Sequence, residues 1–203
     1  MMSVKVLVPV LFVLFLLSSC SKSILSSTSC ESSERLGYLY DHGRKYAIFM
    51  TDDLRQYYEV YDTHGKVVIS DTVEQPLKIE ERSDDIIDIC IGYGTGVSKH
   101  IYYDISKNQT AGPFFYVLAM NGKRIVYLDV PETDPFTSRR LIVCDLFAQN
   151  GLWREIPQNA FKGLAHIDMP FSKAVFLDGG ETLELYYYSD NGEMEITQRF
   201  SLS

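Results

Sequence analysis

The sequence predicts an all-β protein: an antiparallel meander of about four units in a small or partial β-propeller-like arrangement. Three observations carry that expectation. From Leu36 onward, apolar and polar residues alternate instead of recurring at three- and four-residue intervals, which is the period of a half-buried strand. Tyrosine, isoleucine, valine and phenylalanine dominate the alternating runs, and these side chains suit a pleated surface. Turn signals separate the runs at Asp41-His42-Gly43, Asp62-Thr63-His64-Gly65, Asn121-Gly122, Asp178-Gly179-Gly180 and Asn191-Gly192. Helical patterns are scarce, with a single short turn expected over Asn159 to Ala165.

The four units begin at Lys45, Asp85, Lys123 and Lys173, so their starts lie 40, 38 and 50 residues apart. That spacing matches the period of propeller blades, roughly 40–50 residues. The units from Lys45 and Lys173 read as an apolar strand, an acidic turn, an alternating strand with tyrosines, a glycine turn and a further strand; the unit from Lys123 follows that plan with a longer first loop, and the unit from Asp85 fits it less well. Four units are the lower limit for a propeller, and Leu36 to Tyr40 would close the ring against the last unit. A β-sandwich is the alternative, because any antiparallel meander repeats loosely at this interval.

Two hairpins can be placed within that frame. A type I′ turn at Asn191-Gly192 sets Tyr188 opposite Glu195, Tyr186 opposite Thr197 and Glu184 opposite Arg199. The other face then pairs Leu183 with Phe200 and Tyr187 with Ile196, so one face is oily and the other polar. The Asn121-Gly122 hairpin joins FFYVLAM to RIVYLDV, which are apolar on both faces. A pair covered on both sides belongs in the middle of the fold.

The N-terminus has a different character. Val6 to Leu17 is an unbroken apolar run that includes Pro9 and follows Lys5. Spanning a bilayer takes about twenty helical residues, so this run fits the central region of a signal peptide better than a membrane helix. It ends in Leu17-Ser18-Ser19-Cys20, which resembles the lipobox of bacterial lipoproteins. That resemblance covers only the first twenty residues. It implies that Cys20 receives a thioether-linked diacylglycerol, with palmitate-type acyl chains, and becomes the mature N-terminus. The organisation as a whole resembles small bacterial lipoproteins of unassigned activity, which implies nothing further.

Domain boundaries follow: residues 1–19 as signal peptide, 20–35 as lipidated N-terminus and serine-rich tether, and 36–203 as one all-β domain. Ser21 to Arg35 holds seven serines, and such a segment reaches roughly 20 Å as a flexible leash. The expected address is the extracytoplasmic face of the cell membrane or outer membrane, held by the N-terminal lipid.

The whole chain carries a net charge of −8, and loss of Lys5 with residues 1–19 takes it to −9. An acidic chain of this kind opposes nucleic acid, whose binding is driven by phosphate neutralisation. Cys30 falls in the tether, while Cys90 and Cys144 fall in apolar strands. A disulfide between these two is permitted by the compartment, but buried free thiols are the simpler expectation. No CxxC spacing supports zinc or thiol–disulfide exchange.

Motifs for chemistry are weak. Gly92, Gly94 and Gly96 followed by Lys99 superficially look like a phosphate-cradling loop. VSKHIYYDI alternates as a strand, however, and no helix N-terminus follows. Glu80, Glu81, Asp84, Asp85 and Asp88 cluster without calcium-loop spacing, and a solvated strand entrance is expected there. His42, His64, His100 and His166 show no metal-ligand spacing, so neither metal nor cofactor is expected. No GxSxG or SxxK pattern supports a serine nucleophile. The candidate ligand contacts are aromatic: Tyr93 at the glycine-rich tip, Trp153, and Tyr186 and Tyr188 on the polar face of the last hairpin. The expectation is non-catalytic binding of a protein or glycan at the cell envelope. An envelope hydrolase with residues drawn from separate loops, or a subunit of an envelope complex, are the alternatives. A pocket where a carboxylate, a histidine and a nucleophile converge would favour the hydrolase.

Overall fold

The computed structural model describes residues 35–94, 96–129, 140–164, 170–189 and 192–203, all within one compact unit spanning Ser33–Ser203. Cys20, the signal peptide and the tether up to Glu34 lie outside the described residues. Arg35 already belongs to the first strand.

The described residues form four antiparallel sheets in chain order, each a simple meander. Sheet 1 holds β1 (Arg35–Asp41), β2 (Tyr46–Thr51), β3 (Gln56–Tyr61) and β4 (Val67–Val73). Sheet 2 holds β5 (Leu77–Ser83), β6 (Ile86–Gly94), β7 (Val97–Asp104) and β8 (Gln109–Phe115). Sheet 3 holds β9 (Val117–Asn121), β10 (Arg124–Asp129), β11 (Arg140–Asp145) and β12 (Trp153–Ile156). Sheet 4 holds β13 (Phe171–Leu177), β14 (Thr182–Ser189) and β15 (Met194–Ser201). Of the short turn expected over Asn159 to Ala165, only Asn159 and Ala160 are helical, in a 3-10 turn over Gln158–Ala160; Ala165 lies outside the described residues, and a further 3-10 turn spans Asp178–Gly180.

Strand alternation lets each inner sheet serve two cores. On β6, Ile87, Ile89 and Ile91 pack with Tyr46, Ile48, Tyr58 and Val60 of sheet 1. Ile86, on the other face, packs with Ile125, Ile142 and Cys144 of sheet 3. Sheet 3 repeats the device: Val126, Leu128, Leu141 and Val143 turn away from sheet 2 and pack with Leu183, Leu185 and Tyr187 of sheet 4. Each fully buried aliphatic side chain contributes about 1.5–3 kcal/mol relative to exposure. The doubly apolar Asn121-Gly122 hairpin therefore lies between two cores, as its pattern requires.

The described strands thus form four antiparallel sheets, each packed on the next in chain order, in an all-β domain. The sandwich alternative fails, because the strands divide into four sheets and not two. Leu36 to Tyr40 does not pair with the last unit. It belongs to β1, which pairs antiparallel with β2 inside sheet 1, and sheet 4 has three strands.

FFYVLAM is two strands. Tyr116 adopts φ 50°, ending β8 in sheet 2 and starting β9 in sheet 3. A left-handed conformation costs a bulky residue about 1–2 kcal/mol. Burial of Phe114, Val117 and Leu118 on either side holds the break in place.

Polar staples join neighbouring sheets. Tyr46 Oη donates to the Ile79 carbonyl at 3.1 Å, tying sheet 1 to sheet 2. Lys123 Nζ donates to the fully buried Asp104 at 2.6 Å, tying sheet 3 to sheet 2. Arg124 bonds Asp145 Oδ1 at 2.7 Å within sheet 3 and the Gly180 carbonyl of sheet 4 at 2.6 Å.

Candidate functional site

The outward face of sheet 4 carries an organised polar network. Leu183, Leu185 and Tyr187 point into the core, so alternation turns Glu184, Tyr186 and Tyr188 the other way. The register is the one the sequence predicts: Tyr188 opposite Glu195, Tyr186 opposite Thr197, Glu184 opposite Arg199, Leu183 opposite Phe200 and Tyr187 opposite Ile196. The turn at Asn191 lies outside the described residues.

Glu184 is the hub of that face. Tyr186 Oη donates to Glu184 Oε1 at 2.6 Å, and Arg199 Nε donates to Oε2 at 2.7 Å. These two bonds hold the Glu184 carboxyl below the usual carboxylate range, the tyrosine bond contributing most. The reciprocal effect pushes the Tyr186 phenol up. Lys173 Nζ sits 5.2 Å over the Tyr186 ring, a cation–π contact. Ser172 Oγ donates to Glu195. Both tyrosines are half-buried, whereas Lys173, Glu195, Thr197 and Arg199 are exposed.

The other aromatic candidates stand elsewhere. Tyr93 is 47% exposed near the end of β6, and Trp153 is 61% exposed on β12, the edge strand of sheet 3. Among the described residues, no ring contact joins Tyr93 or Trp153 to Tyr186 or Tyr188. These four residues are distributed over three sheets.

A second polar cluster lies where sheet 2 faces sheet 3. Asp88 is fully buried there, which overturns the solvated entrance expected for the EERSDDIID stretch. Alternation in IIDICI places Asp88 between Ile86 and Cys90 on the inner face, while Asp84 and Asp85 remain exposed in the preceding turn. Arg82 Nε and Nη2 donate to Asp88 Oδ2 at 2.9 and 2.7 Å. His100 Nδ1 lies 2.9 Å from Asp88 Oδ1, and His100 Nε2 lies 2.9 Å from Ser98 Oγ and 3.7 Å from Cys90 Sγ. Arg82 and His100 line a recess of about 310 Å³ together with Val117, Leu118, Ala119, Met120 and Gly122. Sequence reading missed this cluster because Ser98, His100 and Asp88 match no motif. The available signal was polar residues at alternate positions of two adjoining apolar strands.

Cys90 and Cys144 are free thiols. Burial pushes both up, Cys144 to about 11, so neither is a thiolate at neutral pH. Among the described residues, no group of three or more histidine, cysteine, aspartate and glutamate side chains could hold a metal ion. Among the same residues, no helix is long and apolar enough to cross a membrane.

No family model matches the chain, and no curated protein matches it. Among solved structures, the computationally designed Ika4 protein is similar at a TM-score of 0.37 and 11% identity, over 84% of this chain and 96% of that one.

Proposed function

We propose that this protein is a lipid-anchored extracytoplasmic domain that captures a glycan at the cell envelope on the outward face of sheet 4. The observation that carries the reading is the Tyr186–Glu184–Arg199 group. It sets a half-buried aromatic ring beside an exposed guanidinium, both fixed by the buried Glu184 carboxylate. Sugars are recognised by that combination: hydroxyls pair with charged planar groups, and weakly positive C–H faces rest on a ring whose face is negative. The ring face that now attracts the Lys173 ammonium is the one a sugar would cover. The anchor rests on Leu17-Ser18-Ser19-Cys20 and the serine-rich segment after it.

Titration of the protein with envelope-derived oligosaccharides, followed by NMR or calorimetry, tests the capture. Saturable binding that weakens at least tenfold in Tyr186→Ala supports it. Binding unchanged in Tyr186→Ala and Arg199→Ala removes it. Pull-down from detergent-solubilised envelope gives the competing outcomes. A weak reversible protein partner moves the reading to protein capture, and a stable stoichiometric one to an assembly subunit. Labelling with a fatty-acid analogue should mark the wild type and not Cys20→Ala.

A further inference from the structure

We propose that Ser98 is a nucleophile activated by His100, reacting with small acyl esters admitted to the recess between sheets 2 and 3. The residues involved are on a different sheet from the glycan face, so this inference stands independently of that reading.

The geometry is a linear relay. Ser98 Oγ, His100 Nε2, His100 Nδ1 and Asp88 Oδ1 follow one another with a 2.9 Å spacing at each of the two hydrogen bonds. A carboxylate can only accept, so Asp88 fixes the imidazole proton on Nδ1 and leaves the Nε2 lone pair facing the serine hydroxyl. That is the arrangement of nucleophile, base and orienting group that acyl transfer requires. Asp88 cannot turn away, because Arg82 holds its other oxygen through two donors. The imidazole is fixed from the side as well, stacked on Tyr102 at 6.0 Å between ring centroids. Asp88 and Arg82 are positioning residues, while Ser98 and His100 touch the reacting atoms.

Access and size limit the substrate. Ser98 is half-buried and lies beside the recess through its partner His100, which lines it with Arg82; at about 310 Å³ the recess stands near the lower end of small-molecule sites. Val117 to Met120 line it too, and its surface mixes polar with apolar groups, which suits a small ester. Cys90 Sγ is also near Nε2, but at 3.7 Å against 2.9 Å for Ser98 Oγ, so the hydroxyl is the closer partner.

The reaction balances with water as co-reactant. Ser98 Oγ bonds to the carbonyl carbon as its proton passes to His100 Nε2. The bond from that carbon to the alkoxy oxygen breaks, and His100 returns the proton to the departing alcohol. Water, deprotonated by the same nitrogen, then releases the carboxylic acid and restores the serine. Stabilisation of the oxyanion is the weak part of this site. Ser98 sits in β7, which is paired on both sides, so its backbone N–H groups serve the sheet, and Arg82 is the cation in the recess lining. Losing one oxyanion donor slows catalysis about 10²–10³-fold. Covalent capture is therefore a better readout than turnover.

The test incubates the full-length protein with a fluorophosphonate, which forms an Oγ–P bond and expels fluoride. Adducts are then located by intact mass and peptide mapping. The expected result is one adduct per chain, on Ser98, in the native protein. It should be lost in Ser98→Ala and in urea, and slowed at least tenfold in His100→Gln. No adduct at Ser98 in folded wild-type protein overturns the proposal, as does equal labelling of Ser98→Ala. Because mapping is done on the wild type, the outcome does not depend on whether the histidine variant folds.

Discussion

Replacing Asp88 tests whether the junction between sheets 2 and 3 depends on a buried charge. Asp88→Ala removes the acceptor for three donor groups: two N–H groups of Arg82 and the imidazole N–H of His100. Removing one partner of a fully buried ion pair costs about 3–5 kcal/mol. The Arg82 side chain is 41% exposed, so water can rehydrate its charge and the figure must be discounted. The expected loss is about 3 kcal/mol. Domains of this size have urea m-values of about 2 kcal/mol/M, so the midpoint should fall by roughly 1.5 M with m unchanged. Thermal midpoints should fall by roughly 6–12 °C. Asp88→Asn keeps one acceptor oxygen and should lose about half as much. If both variants stay within about 1 kcal/mol of wild type, the carboxylate does not hold the junction together and the argument for a fixed imidazole goes with it.

Other expectations follow from the same structure. Burial alone would raise the Asp104 carboxyl, but Lys123, Ser106 and the Lys107 N–H together hold it below its ordinary 3.8. A depressed folded-state value stabilises the protein above 3.8 and loses that contribution as pH falls through it. The urea midpoint should therefore drop between about pH 5 and about pH 3, and less steeply in Lys123→Met. Cys144, buried and pushed up to about 11, should resist maleimide at neutral pH and react once urea unfolds the chain; rapid native labelling would contradict the packing. Trp153 is the sole tryptophan and 61% exposed, so iodide should quench its emission efficiently. Trp153→Ala should shift stability by no more than about 0.5 kcal/mol in thermal melts.

The parts of the fold legible in the sequence were those set by alternation and turn chemistry. The β14–β15 register follows from Asn191-Gly192 and from the need to put Leu183 and Tyr187 on one face. The central position of the β9–β10 hairpin follows from residues that are apolar on both faces. The sheet boundaries were hidden. β5 reads LKIEERS, where a buried Ile79 among charged neighbours gives little strand signal. The turn at Tyr116 uses a left-handed conformation that composition does not announce in a tyrosine. Asp88 was misread for a related reason: a carboxylate close to a charged loop looks solvated until its partners are known. Arg82 lies six residues before it, and His100 is twelve residues after it across the β6–β7 hairpin. The face that Tyr186 and Tyr188 occupy was predictable from the β14–β15 register; the bond from Tyr186 to Glu184 was not.

The order in which the sheets pack also governs how the chain can assemble. Among the described residues, each of the three cores is built from two consecutive sheets. A polypeptide emerging N-terminus first can thus complete one junction before the strands of the next have appeared, using the finished sheet as a template for its successor. Loop-closure entropy stays small at every step, and little oily surface waits long for a distant partner. Delivery from one end, as in synthesis or export, suits such an architecture, whose last exposed surface is the outward face of β14.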